Sequence, residues 1–192
     1  MVWSALVGPG WRRWVAGALV VSVGAGVGIS TWWFGKYAIA IRGLRTGVGD
    51  TTFYTADGKP WFRMDELRRD VPLAQIAKPL RQAVVAIEDH RFYGHFGIDL
   101  IGVSRAVFEN VRGDSLQGGS TITQQLARTL FLTNKRTWNR KVKEAALALL
   151  LEAQLNKDQI LELYLNRVYL SSGVYGVEPL SRRLYGKPSS DV

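Results

Sequence analysis

The chain has 192 residues, room for about one domain and a long appendage. With 47% hydrophobic and 21% charged residues it has an ordinary globular composition, which argues against disorder, and its lack of cysteine excludes disulfides, thiolate catalysis and cysteine-type zinc sites. The net charge of +9 points to an anionic partner, either nucleic acid, lipid headgroups or a phosphorylated substrate, without choosing among them.

Residues 1–13 form a short leader ending in Arg12 and Arg13. From Trp14 to Gly35 no residue is charged, and a helix of that length would extend about 33 Å, enough to cross a bilayer core. Lys36 follows it, and Trp14, Trp32 and Trp33 stand where interfacial aromatics belong. The pattern predicts one membrane anchor over 14–35, with Arg12 and Arg13 on the cytoplasmic side and the rest of the chain outside. A cleaved signal peptide is the alternative, given the small-x-small triplet Ala38-Ile39-Ala40, but the apolar run exceeds the roughly 7–15 residues of a signal core.

Residues 36–63 read as a connector with one short strand at Thr51–Tyr54, followed by a turn at Ala56-Asp57-Gly58-Lys59-Pro60. From residue 64 the pattern turns helical. Leu73, Ile76, Leu80, Val84 and Ile87 carry an apolar stripe that Pro79 is expected to break or kink, and a second helix is predicted over Ile98–Val111. A Gly-rich loop, RGDSLQGGS, then leads to helices at about 121–133, 137–156 and 157–170, with Ser120 and Asn156 as expected N-caps. On the second of these, Arg140, Lys141 and Glu144 share a face with Ala148, Leu151 and Leu155. The expected fold is mainly α, with residues 64–192 as the functional domain.

Chemistry-bearing residues concentrate in AIEDHRFYGHFG, where Glu88, Asp89, His90, Arg91 and His95 follow directly on an apolar run. Four segments then recur in a telling order: Glu88-Asp89-x-x-Phe92-x-x-His95-x-Gly97, Gly118-x-Ser120-Thr121-Ile122-Thr123-Gln124-Gln125, Arg140-Lys141-x-x-Glu144, and Lys157-x-x-Ile160-Leu161-x-x-Tyr164-Leu165-Asn166. Together they resemble the signature motifs of the peptidoglycan glycosyltransferases, glycosyltransferase family 51. This is the transglycosylase of monofunctional enzymes and of the N-terminal half of class A penicillin-binding proteins.

The resemblance implies a lysozyme-like, two-lobed helical domain that polymerises lipid II into β-1,4-linked glycan at the outer face of the cytoplasmic membrane, by inverting transfer with release of undecaprenyl pyrophosphate. It implies Glu88 as the base that deprotonates the acceptor hydroxyl, and Glu144 as a second acidic residue that orients a cation or organises the basic side chains. Asp89, Ser120, Thr121, Gln124 and Gln125 would bind substrate, while Arg105, Arg128, Arg136, Arg140 and Lys141 would hold the pyrophosphate. A divalent cation, Mg²⁺ or Mn²⁺, is a further expectation, with no ligand set assigned. Bulky Phe96, Ile98, Leu100, Ile101, Val103, Val107 and Phe108 match a membrane-associated subdomain of the family. The implied partners are lipid II, the growing glycan strand, the membrane and other cell-wall synthesis proteins; nucleic acid is set aside, because pyrophosphate accounts for the basic residues.

The C-terminal part departs from the family pattern: Ser171-Ser172 stands near a usual glycine, and Pro179 and Ser181 interrupt an alanine stretch. Neither Ser-x-x-Lys nor Lys-Thr-Gly occurs, so a monofunctional enzyme is expected rather than one carrying an acyl-serine transpeptidase. Two rivals stay open. A lysozyme-like glycan-cleaving enzyme would have no use for a cationic pyrophosphate site, and a non-enzymatic assembly scaffold derived from the family would have no use for Glu88 and Glu144.

Overall fold

The computed structural model describes residues 11–44, 52–55, 57–63, 70–112, 119–133, 137–171 and 173–192. The predicted Arg136, Gly118 and the helical onset at Met64 lie outside them. Residues 1–43 and 44–192 form separate compact units. Among the described residues the chain is mainly helical, as its periodicity predicts, with seven α-helices and two small hairpins.

In the first unit, α1 runs from Trp11 to Leu44 as 34 continuous residues, about 51 Å of helix. It is long and apolar enough to cross a membrane over Trp14–Leu44. The predicted span ended at Gly35, yet the helix continues through Lys36 and Arg42, because a charged residue ends an apolar run without ending helical geometry.

The second unit begins with a hairpin of β1 (Thr52–Tyr54) and β2 (Pro60–Arg63), paired antiparallel with Phe53 opposite Phe62. The predicted turn joins them: the Thr55 amide donates to Lys59 O at 2.8 Å, and Gly58 takes a left-handed φ of 79°. β2 was not predicted, since four residues around a proline carry too little alternation to register. A single 3₁₀ turn at Leu73–Gln75 precedes α2 (Lys78–Glu88). Pro79 therefore opens this helix instead of breaking it, sitting in the first turn, where its missing N–H has no intrahelical partner to lose.

After a 3₁₀ turn at Phe92–Gly94 come α3 (Leu100–Arg112), α4 (Ile122–Phe131), α5 (Trp138–Gln154) and α6 (Lys157–Arg167). The core lies where α4, α5 and α6 meet. Ile122, Leu126, Leu147, Leu151, Ile160, Leu161 and Leu165 are all essentially inaccessible, each contributing about 1.5–3 kcal/mol by leaving water. The inner face of α5 reads Glu144, Leu147, Ala148, Leu151, Glu152, a 3-4 spacing that places two carboxylates among the leucines. Such groups are tolerated only when paired.

A hairpin of β3 (Tyr169–Ser171) and β4 (Val174–Tyr175), then α7 (Val177–Tyr185), complete the chain. The departures from the family pattern here are accommodated locally. Pro179 falls in the first turn of α7, and the buried Ser181 donates its hydroxyl to Lys187 O at 2.7 Å, closing the end of that helix. Glu178 accepts from both the amide (2.7 Å) and the hydroxyl (2.6 Å) of Ser189, whose own carbonyl accepts the Ala77 amide (2.9 Å) ahead of α2. The C-terminal segment thus fixes the start of the helix whose last residue is Glu88.

Candidate active site

α2 delivers Glu88 at its last turn and Asp89 at its C-cap, and the two adjacent carboxylates diverge. Asp89 is buried. Its oxygens accept from His95 Nε2 (2.9 and 3.0 Å), and one also accepts the Ile122 amide at the start of α4 (3.1 Å). The carboxylate therefore satisfies an orphan donor at a helix N-terminus and holds the histidine ring, which sets Nε2 as the protonated nitrogen. Of the two first-motif histidines, the exposed His90 faces the cavity and His95 braces the wall.

Glu88 is exposed, and Oε2 accepts from Gln125 Nε2 at 2.9 Å. The same amide's Oε1 accepts from the buried Tyr164 hydroxyl at 3.2 Å. This chain settles which way the Gln125 amide points: the Glu88 carboxylate can only accept, so the nitrogen faces it and the oxygen is left to accept from the phenol. Burial pushes the Tyr164 phenol up, the negative charge of Glu88 pushes it further, and Arg128 opposes them, so the hydroxyl stays protonated and keeps donating. The sequence places Tyr164 in the fourth motif without giving it a role. The signal that could have found it is general: a buried tyrosine hydroxyl needs a partner.

A cavity of about 300 Å³ opens beside Glu88, with Asp89, His90, Asp99, Arg105, Ser120 and Thr121 among its lining residues. Asp99 entered no prediction, yet it precedes α3, accepts the Gly102 amide at 2.9 Å and pairs with Arg91. Burial works to raise its pKa, but the Gly102 amide and the Arg91 guanidinium outweigh that and hold it below the ordinary value.

The second motif divides its polar residues between structure and cleft. Thr121, not the predicted Ser120, is the N-cap of α4: its hydroxyl accepts the Gln124 amide (3.2 Å) while Gln124 Oε1 accepts the Thr121 amide (3.3 Å), a capping box. Thr121 also donates to Gly97 O at 2.6 Å. That carbonyl is reachable because Gly97 sits at φ 77° against Ala148 of α5, where a Cβ would come within 3.1 Å of the backbone. Buried Thr121 and Gln124 are thus committed inward, leaving Ser120 and Gln125 as the half-exposed polar groups of the motif.

The third motif supplies charge. Glu144 is buried and is paired with Arg140 and with Lys141 Nζ (3.2 Å), one cation at each oxygen. Lys141 Nζ also donates to Ser120 Oγ at 2.7 Å and lies 3.4 Å from Gln124 Oε1, so it joins the third motif to the second. Glu144 thus bridges the two cations. Glu152, two turns further along the same face, accepts from Thr123 and from Lys157, each at 2.7 Å, and the Lys157 ammonium lies 4.5 Å over the Phe92 ring. Four segments separated in the chain are thereby clamped behind the cavity.

The described residues bring Glu88, Asp89, Arg105, Ser120 and Thr121 to one cavity, with Gln125 touching Glu88 and Lys141 touching Ser120. The Arg128 charge acts on the Tyr164 phenol, and Arg140 shares Glu144 with Lys141. Among the described residues no three His, Asp or Glu side chains cluster so as to hold a metal ion. With Asp89 and Glu144 occupied as above, the described residues offer no ligand set for a metal held by protein side chains alone.

Residues 57–192 match the family model described as transglycosylase. Penicillin-binding protein 1A of Haemophilus influenzae is 48% identical over 141 residues, covering 72% of this chain and 16% of that protein. Penicillin-binding protein 1F of Bacillus subtilis is 45% identical over 128 residues, 66% of this chain and 18% of that protein. A putative transglycosylase of Cupriavidus necator is 49% identical over 117 residues, 61% of this chain and 51% of that protein. The chain thus spans about a sixth of the length of these penicillin-binding proteins and about half that of the putative transglycosylase. Since the family match takes in all four motif segments and the helices that carry them, the chain belongs to the transglycosylase family, glycosyltransferase family 51.

Proposed function

We propose that the chain is a membrane-anchored peptidoglycan glycosyltransferase that polymerises lipid II. The observation that carries the reading is one cavity lined by an exposed carboxylate that Gln125 orients, by Arg105, and by Ser120, to which Lys141 donates. A base and a cation at either side of a cleft suit transfer from a pyrophosphate donor.

In this reading Glu88 takes the proton of the acceptor sugar's 4-hydroxyl. The freed oxygen attacks the anomeric carbon of the donor, the bond from that carbon to the phosphate oxygen breaks with its electron pair, and undecaprenyl pyrophosphate leaves. Lys141, Arg105, Arg128, Arg136 and Arg140 are proposed to face the pyrophosphate charge, with Ser120 holding Lys141 in place. Gln125 orients the base, Thr121 and Gln124 hold the helix that presents these groups, and Asp89 and Glu144 fix the walls. A divalent cation, Mg²⁺ or Mn²⁺, enters the proposal only as an ion that would accompany the pyrophosphate and offset its charge, and no step depends on it.

α1 is read as a single-pass anchor, with the helical domain on the outer face of the cytoplasmic membrane. Leu100, Ile101 and Phe108 of α3 are 56–74% exposed, an apolar surface suited to a substrate that stays in the bilayer. Other cell-wall synthesis proteins are proposed as partners.

The test is incubation of the detergent-solubilised chain with labelled lipid II, resolving products by length before and after muramidase digestion. Long, muramidase-sensitive glycan is expected, falling about 10²- to 10⁴-fold in Glu88→Gln while lipid II binding persists. A Glu88→Gln variant that polymerises at the parent rate would remove Glu88 from the role of base, and binding without polymer in the parent chain would favour an assembly scaffold.

A further inference from the structure

A second groove, of about 440 Å³, lies along α2 and shares Ala86 and His90 with the catalytic cavity. Lys78 and Arg81 supply its positive charge, Val85 and Leu161 its apolar lining, and Tyr93 a further wall. Neither cation forms an ion pair among the described residues. Arg81 Nε is buried without a hydrogen-bond partner, whereas buried polar atoms are nearly always satisfied. The one carboxylate held at Tyr93 is Asp158, which accepts from its hydroxyl at 3.2 Å. Two cations against a single carboxylate leave the groove positive. None of these residues is used by the chemistry derived above.

We infer that this groove binds the carboxylate-bearing peptide arm of the sugar substrate. The inference rests on the lipid II reading and adds to it a specificity site. A groove that adjoins the catalytic cavity at Ala86 and His90 is placed to receive what is covalently attached to the reacting sugar. A groove that sets apolar Val85 beside two cations suits a short peptide with small side chains and free carboxylates better than it suits a bare phosphate, which would leave Val85 unused. The Arg81 guanidinium, whose Nε–H has no partner inside the protein, supplies the charge that a peptide carboxylate would meet.

Two measurements test it on the full chain in detergent. The first follows the Arg81 Nε–H resonance on adding soluble disaccharide-pentapeptide, the same compound with its carboxylates amidated, or inorganic phosphate. A saturable shift with the free acid, needing about tenfold more of the amidated compound, is expected, a difference of about 1.4 kcal/mol. The second compares KM for lipid II with free and with amidated peptide. Arg81→Ala is expected to raise KM about tenfold for the free acid alone, Lys78→Ala at its exposed position to act in the same direction, and Arg81→Lys to restore part of the loss.

An equal rise for both substrates, no rise, or a phosphate response matching that of the peptide overturns the inference. Saturable peptide binding by a chain that makes no polymer would uphold this site and overturn the polymerase reading instead.

Discussion

Tyr164 reaches Glu88 only through Gln125, so its removal separates orientation from binding. Tyr164→Phe keeps the ring packed and deletes one donor, freeing the Gln125 amide to turn. The expected result in a lipid II polymerisation assay is a kcat lower by about tenfold, corresponding to one net hydrogen bond of about 1 kcal/mol or slightly more, with KM held within about twofold. Glu144 is the contrasting case. Glu144→Gln leaves Arg140 and the partly exposed Lys141 facing a neutral amide, and losing hydrogen bonds to a charged group costs about 1.5–3 kcal/mol. A large fall in Tm accompanied by loss of activity is therefore expected, whereas Tyr164→Phe lowers activity at nearly constant Tm. Glu144 and its cations were legible in the chain because i,i+3 and i,i+4 spacing is local. The Tyr164–Gln125–Glu88 chain was not, since it joins residues 39 and 37 positions apart.

Among the elements, α4 and α7 show how caps place chemistry. The sequence suggested Ser120 as a cap because serine and threonine are equally suited to the role; the choice of Thr121 followed from where Gly97 O and the Gln124 amide came to lie. α7 begins at Gly176, at φ 83° and ψ 155°, a region nearly confined to glycine, and a Cβ there would lie 2.7 Å from Asn166 O. Asn166 in turn exchanges hydrogen bonds with both backbone groups of Val71, each at 2.9 Å, tying α6 to the segment that leads into α2. Gly176→Ala is expected to destabilise by about 2–4 kcal/mol, combining backbone strain with overpacking, as measured by denaturant melting of the helical domain signal. For α3, replacing exposed Ile101 and Phe108 with Asp is expected to leave Tm unchanged while reducing liposome retention of a form lacking α1. Loss of stability without loss of lipid contact would instead make that face part of a protein core.

At the scale of the whole molecule, acid stability should track two carboxylates that take no part in the proposed chemistry. Asp99 and Glu178 are both held below their ordinary pKa values of 3.8 and 4.5. In each, burial acts to raise the pKa and is outweighed, by the Gly102 amide and Arg91 for Asp99 and by Ser189 and Arg182 for Glu178. Depressed folded-state values mean that the unfolded chain takes up protons first. The stability they contribute is then complete above about pH 4.5 and lost as the pH falls through the folded-state values. Glu178→Gln should lower Tm at neutral pH and flatten this acid limb, and an unchanged limb would show that other groups govern it.

The sequence by itself determined the helical class, the apolar N-terminal helix, the order of the four motifs and the pairing of Arg140 and Lys141 with Glu144, because periodicity, run length and one-turn spacing are properties of contiguous residues. Only the tertiary structure decided that Asp89 turns inward to His95 while Glu88 faces the cavity, that Lys141 reaches Ser120, and that Ser189 anchors the start of α2. These are contacts between segments far apart in the chain, and their partners are selected by packing, as each buried polar group must find a neighbour that water no longer supplies.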